Sequence, residues 1–223
     1  MASALRVGVL VSGTGTTLQA LIDACRRGEV PAEIALVASN VPGAYALERA
    51  RAAGIPTVVI PHRGYGTPAA FEAALRDALT AARVDLVCLA GFLRILSPAF
   101  VAAFAGRLIN VHPSLLPAFG GKGMYGDRVH DAVLKSGARI TGCTIHFVTD
   151  VPDSGPIIAQ AAVPVEDDDT IASLAARVRR EELRLYPDAV RLFAEDRLRI
   201  EGNRVRILEA RTSSGARQTP GRS

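Results

Sequence analysis

The sequence predicts an α/β protein: a mostly parallel, twisted sheet with helices on both faces and an antiparallel C-terminal part. Three observations predict it. From Leu5 to Ala90, apolar runs of strand length alternate with patterns of helical period, which is the signature of βαβ units. The first run, Leu5 to Val11, is apolar on both faces, as strands of a parallel sheet are. Near the C-terminal end, the turn Asp150 to Pro156 joins two strand-like runs with no helix between them, so those two pair antiparallel.

After the strand Leu5–Val11 comes Ser12-Gly13-Thr14-Gly15-Thr16-Thr17, then a helical pattern from about Leu18 to Arg27. A glycine-rich turn between strand and helix points backbone N–H groups at an anion, and the helix dipole adds to the attraction. The turn lacks the Lys of a P-loop, and Leu18 stands where a dinucleotide fingerprint has its third glycine. The second strand, Ile34 to Ser39, ends at Asn40 and not at the acidic residue that would hold a ribose. A mononucleotide phosphate is therefore expected here, not NAD.

Alternation continues with a helix near Ala44–Ala53, a strand Thr57–Ile60, a helix near Pro68–Ala82 and a strand Asp85–Ala90. His62, in the loop Pro61 to Gly66, is assigned a surface role. The next stretch, Gly91-Phe92-Leu93-Arg94-Ile95-Leu96-Ser97-Pro98, is an apolar loop broken by one Arg at the carboxyl end of a strand. It suits either the wall of a pocket for a flat heterocycle or burial under the following helix.

Leu108-Ile109-Asn110-Val111-His112 is a short strand stopped by Pro113. Alternation puts Asn110 and His112 on one face, at the carboxyl end where ligands bind in open α/β sheets. An uncharged amide donor beside an imidazole suits a carbonyl oxygen that becomes an oxyanion. The plain alternative is an Asn that ties a loop and a satisfied buried His. Ala118 to Gly126 holds four glycines and reads as a mobile connection. Asp127 is the expected N-cap of a helix ending near Ser136, and His130 on it is given a structural role. A strand from Ile140 to Thr149 carries His146 on the face opposite Ile145 and Phe147, and its hairpin partner runs from Ile157 to Val165. The acidic run Glu166 to Asp169 leads through Thr170 into a helix reaching about Phe193, and a hairpin around Gly202-Asn203 closes the pattern.

Composition bounds the rest. No apolar run approaches the roughly 20 residues of a membrane helix, and no secretory signal pattern opens the chain, so a cytoplasmic protein without membrane partners is expected. The net charge of +4 is mostly the segment 211–223, with Arg211, Arg217 and Arg222 and no acid, leaving +4 − 3 = +1 elsewhere. No basic run is interleaved with aromatics, which argues against nucleic acid. Cys25, Cys88 and Cys143 have neither disulfide nor zinc spacing and read as small buried hydrophobes.

The string N-V-H-P-S-L-L-P at Asn110–Pro117, and T-G-C-T-I-H-F-V-T-D followed by D-S-G-P at Thr141–Pro156, resemble the folate-dependent formyltransferases. The resemblance covers about residues 5–209, within a single expected domain, 1–209, with a Rossmann-like sheet and followed by a disordered basic tail, 210–223. Within the family it is to the members that formylate glycinamide ribonucleotide in purine synthesis. It implies 10-formyltetrahydrofolate as the formyl-donor cosubstrate, no metal, and a monomer or homodimer. It also implies roles. Asn110, His112 and Asp153 would be catalytic. Gly13, Thr14, Gly15, Thr16 and Thr17, in a stretch S-G-T-G-T-T-L-Q-A similar to the family's phosphate loop, would bind the nucleotide with Arg179 and Glu182. Arg94, Ile95 and Leu96, in A-G-F-L-R-I-L-S-P, would bind folate together with Val101, Leu108 and Asp153. Spacing alone leaves Asp150 and Asp153 open as the catalytic carboxylate. The small residues and proline after Asp153 favour it, and the family's D-x-G-P pattern falls on it. Relatives with an extra tRNA domain or an extra regulatory domain fit less well, since no further domain is expected after Leu208 or before Leu5. A nucleotide-binding module without catalysis is the alternative of another class, and it leaves the three-residue constellation unexplained.

Overall fold

Five of the seven residues of β1 (Leu5–Val11) are buried. Val7, Val9 and Val11 face one core and Leu10 the other, as a strand covered on both sides requires. The structure, a computed structural model, describes residues 4–210, so the expected tail beyond Ala210 lies outside the described residues. β2 (Ala32–Ser39) and β4 (Leu86–Leu89) flank β1 in parallel, β3 (Thr57–Val59) extends β2, and β5 (Leu108–His112) extends β4. β6 (Ile140–Phe147) then pairs antiparallel with β5, and β7 (Ile157–Pro164) with β6. The hairpin of β8 (Leu198–Glu201) and β9 (Arg204–Ile207) completes the order β3-β2-β1-β4-β5-β6-β7-β9-β8.

Helices cover both faces. α1 (Thr16–Arg26), α2 (Tyr45–Ala52), α5 (Asp127–Ser136) and α6 (Ile171–Ala194) contribute buried side chains to the first core. Phe71, Leu75 and Leu79 of α3 (Pro68–Ala81) and Phe100 and Val101 of α4 (Pro98–Ala103) contribute to the second. Starts are set by hydroxyl caps: Thr67 accepts from the Ala70 N–H, Ser97 from Phe100 and Thr170 from Ser173. Among the described residues, no helix is long and apolar enough to cross a membrane.

Three boundaries depart from expectation for local reasons. α1 begins at Thr16 because Gly15, with φ 73°, serves as its N-cap. Asp127 is not the cap of α5: Gly126 takes that place, and Asp127 is the first helical residue, where its charge meets the positive end of the dipole. β6 stops at Phe147, two residues early. There the Phe147 N–H donates to Pro156 O, and a Cβ on Gly155 would lie 1.8 Å from Phe147 O. Only glycine lets the chain turn so close to the strand.

Candidate functional site

The carboxyl ends of β1, β4 and β5 open onto one cavity of about 720 Å³. One end of it is the turn 13–17. Ala46 of α2 holds this turn through its N–H to Gly13 O at 3.0 Å, and the Arg49 Nε–H donates to Thr14 O at 2.8 Å. A Cβ on Gly15 would lie 2.5 Å from the Ala46 Cβ, so turn and helix touch with no room for a side chain. The N-terminus of α1 has no side-chain cap, which leaves its first-turn N–H groups facing the cavity. The Arg179 Nη1–H donates to Thr16 Oγ1 at 3.2 Å, bringing α6 over the same end, and Glu182 lines it one turn further on. Burial pushes the Glu182 carboxyl up, against the opposing pull of Arg179. Ser12 itself is turned away from this end of the cavity: its N–H donates to Gly91 O at 3.1 Å.

The other end is the segment 91–97. Leu93 and Ile95 are 61% and 64% exposed, large apolar side chains presented at the cavity rim. Arg94 is exposed beside them and Leu96 is buried at the cavity wall. The segment is anchored by Glu72 of α3, whose carboxylate accepts from the Ser97 N–H at 2.8 Å and from its hydroxyl. The loop walls the cavity, and of the apolar side chains that could have been buried under the following helix only Leu96 is, while Leu93 and Ile95 stay exposed. Val101 and Leu108 are corrected. They are 7% and 1% exposed in the second core and do not line the cavity. Strand alternation puts Leu108 on the face of Asn110, but at the strand's buried start.

Between the two ends lie Asn110, His112 and Asp153, which the fold brings together with a fourth residue, His146. His112 is 3% exposed; its Nδ1 lies 3.4 Å from Asp153 Oδ2 and its Nε2 2.8 Å from Phe119 O. Oxygen acceptors at both nitrogens suit an imidazole carrying both protons. Antiparallel register sets His146 opposite Asn110, with Asn110 Nδ2 3.3 Å from His146 Nε2. His146 Nδ1 lies 2.9 Å from Phe147 O, so the ring donates there and accepts from Asn110. Burial pushes the His146 pKa down, against the Phe147 carbonyl and the Asp153 charge, which holds the neutral tautomer that this pattern needs. Asn110 lines the cavity, and its amide nitrogen carries a second hydrogen besides the one toward His146.

The two candidate carboxylates differ in position. Asp150 is exposed at the cavity mouth, while Asp153 approaches both histidines, with Oδ1 3.6 Å from His146 Nε2. Asp153 holds a left-handed backbone, φ 55°, and accepts from the Gly121 N–H at 2.9 Å. The 118–126 connection contains neither helix nor strand, as expected, but Phe119 O and the Gly121 N–H tie it to the centre of the site. His130, given a structural role, is 4% exposed on the cavity wall, and its Nδ1 has no hydrogen-bond partner among the described residues. Burial lowers its pKa, with Arg179 and His112 acting in the same direction and Asp127 opposing. His62 is half-buried, not a free surface residue, with Nδ1 3.2 Å from Asn40 Nδ2.

The formyl transferase family model matches residues 5–190 of this chain. The phosphoribosylglycinamide formyltransferase of Haemophilus influenzae is 41% identical over 198 residues, 89% of this chain and 91% of that protein. The trifunctional purine biosynthetic protein adenosine-3 of Gallus gallus is 46% identical over 196 residues; the match takes in 88% of this chain and only 19% of the longer protein. The chain therefore spans about a fifth of the length of such trifunctional relatives. Among solved structures, glycinamide ribonucleotide transformylase 1 from Symbiobacterium toebii superposes with a TM-score of 0.89 at 49% identity, covering 94% of this chain and 96% of that one.

Proposed function

Because the chain belongs to the formyl transferase family, we propose that it transfers the formyl group of 10-formyltetrahydrofolate to the amine of glycinamide ribonucleotide. The observation that carries this reading is the placement of Asn110, His112 and Asp153 between an anion-binding turn and an apolar rim, within one cavity. That volume falls in the ordinary range for small-molecule sites. The nucleotide phosphate takes the N–H groups of residues 13–17 with Arg179, and Glu182 takes the ribose hydroxyls. The folate heterocycle lies along Arg94, Ile95 and Leu96, where the apolar surface exposed at Leu93 and Ile95 fits a flat ring.

The amine attacks the formyl carbon, forming the new C–N bond as the carbonyl electron pair moves onto oxygen. The free Nδ2–H of Asn110 and the Nε2–H of His112 donate to that oxyanion, the imidazole exchanging the Phe119 carbonyl for it. Asp153, 3.4 Å from His112 Nδ1, orients the ring and takes, directly or through water, the proton that the amine loses. Collapse of the tetrahedral centre breaks the bond to folate N10, which takes up the proton that Asp153 received from the amine, and releases the formylated nucleotide and tetrahydrofolate.

The test is turnover of 10-formyltetrahydrofolate with and without glycinamide ribonucleotide. Tetrahydrofolate is expected only when the nucleotide is present. Equal release in its absence would make the reaction hydrolysis and overturn the acceptor.

A further inference from the structure

Ser12 closes β1, Asn40 follows β2 and the segment 91–97 follows β4, and these three strands are neighbours in the order β2-β1-β4. Ser12 joins all three. Its N–H donates to Gly91 O at 3.1 Å, and its Oγ accepts from the Leu93 N–H at 2.9 Å. The same hydroxyl donates to Asn40 Oδ1 at 2.7 Å, and Asn40 Nδ2 lies 3.2 Å from His62 Nδ1. Ser12 is 8% exposed and Asn40 5%, so these bonds exchange little with water. Their polarity is fixed. An amide oxygen only accepts, so the Ser12 proton is committed to Asn40 and its lone pairs are left for Leu93. The residue that opens the anion-binding turn is thus clamped at two points to the segment that presents Leu93 and Ile95.

We infer that Ser12 is a positioning residue that couples the two ligand ends of the cavity, so that a phosphoribosyl nucleotide and a reduced folate bind with positive cooperativity. A phosphate held by the N–H groups after Ser12 orders the turn. The two bonds from Ser12 then order residues 91–93, and the folate meets a segment whose ordering cost has already been met. Ser12 touches neither ligand in this account. It acts through Gly13 on one side and Leu93 on the other. The inference rests on the proposed reaction only for the identity of the two ligands.

Calorimetric titration of glycinamide ribonucleotide into the protein, with and without saturating tetrahydrofolate, measures the coupling without turnover. For the wild type the nucleotide should bind at least about fivefold more tightly when tetrahydrofolate is present. In Ser12→Ala that ratio should fall below about twofold, while affinity for the nucleotide alone changes little. Asn40→Ala, which frees the Ser12 hydroxyl, should lose the coupling as well, whereas Asn40→Asp keeps an acceptor and should retain it. A ratio near one in the wild type, with both ligands binding, would overturn the inference and leave the reaction standing. So would Ser12→Ala that melts earlier but keeps the full ratio, the result a purely structural serine gives. Failure of either ligand to bind the wild type would overturn the reaction as well.

Discussion

His112 has an oxygen at each ring nitrogen, 3.4 Å away at Asp153 and 2.8 Å at the Phe119 carbonyl, and the proposed chemistry turns on that arrangement. Asn110→Ala and His112→Ala should each lower kcat by roughly 10²–10³, about 2.7–4 kcal/mol of transition-state stabilisation, with much smaller changes in either substrate's binding. If the double variant is no slower than the worse single one, the pair acts as a unit and the losses should not be summed. Steady-state kinetics on the three variants decides this, and a near-wild-type kcat for His112→Ala contradicts the mechanism. Asp153→Asn is nearly isosteric and should fold while losing almost all transfer. Asp150→Asn, at the exposed mouth of the cavity, should keep substantial activity. Melting temperature and turnover measured together would move the carboxylate's role to Asp150 if the pattern reversed.

The elements explain which residues could be read from the sequence. β5 was legible because everything needed is local: an apolar run, the period-two alternation that pairs Asn110 with His112, and Pro113 as a stop. The turn 13–17 was legible for the same reason, since its glycines sit between a strand and a helix. His146 was not. Its place beside Asn110 follows from antiparallel register between β5 and β6, 36 residues apart, which no local pattern encodes. The signal that could have found it is a titratable side chain in a strand buried from Thr141 to Phe147. The Ser12–Asn40 bond and the buried side of His62 depend in the same way on strand order. Val101 and Leu108 were expected in the folate pocket only through the family resemblance, and both belong to the second core.

The same elements guide the test of the phosphate turn. Gly15→Val would drive a side chain into Ala46 at φ 73° and so would test the fold rather than the ligand. Gly13 is the position to change, because a Cβ there meets nothing within 4 Å. Gly13→Ala should raise the Kd for glycinamide ribonucleotide while melting temperature and folate affinity stay nearly constant. Arg179→Ala should weaken the nucleotide too, and its penalty should shrink as salt rises, since a screened charge is lost and not a backbone donor. Titrations at low and high ionic strength check both, and a salt-independent loss for Arg179→Ala contradicts the phosphate contact.

At the scale of the whole molecule, one sheet supplies both cores and every strand end that the cavity uses. It also ties stability to pH. Burial lowers the pKa values of His146 and His130 below their ordinary 6.5, so the unfolded chain binds protons that the folded one refuses. With more protons bound unfolded, stability rises with pH through this window and is lost as pH falls from 6.5 toward the lowered folded values. Urea midpoints on either side of that pH should show the wild type weaker on the acid side and His146→Gln with a shallower dependence; identical slopes would contradict it. The proposed reaction moves a formyl group onto a nucleotide amine within this cavity. Its most direct test is to supply 10-formyltetrahydrofolate labelled with carbon-13 at the formyl carbon, together with glycinamide ribonucleotide, and to follow the label by NMR. The label should pass to the amide of the formylated nucleotide with the wild type and remain on folate with Asp153→Asn. Label recovered as free formate, or transferred equally well by Asp153→Asn, would contradict the account.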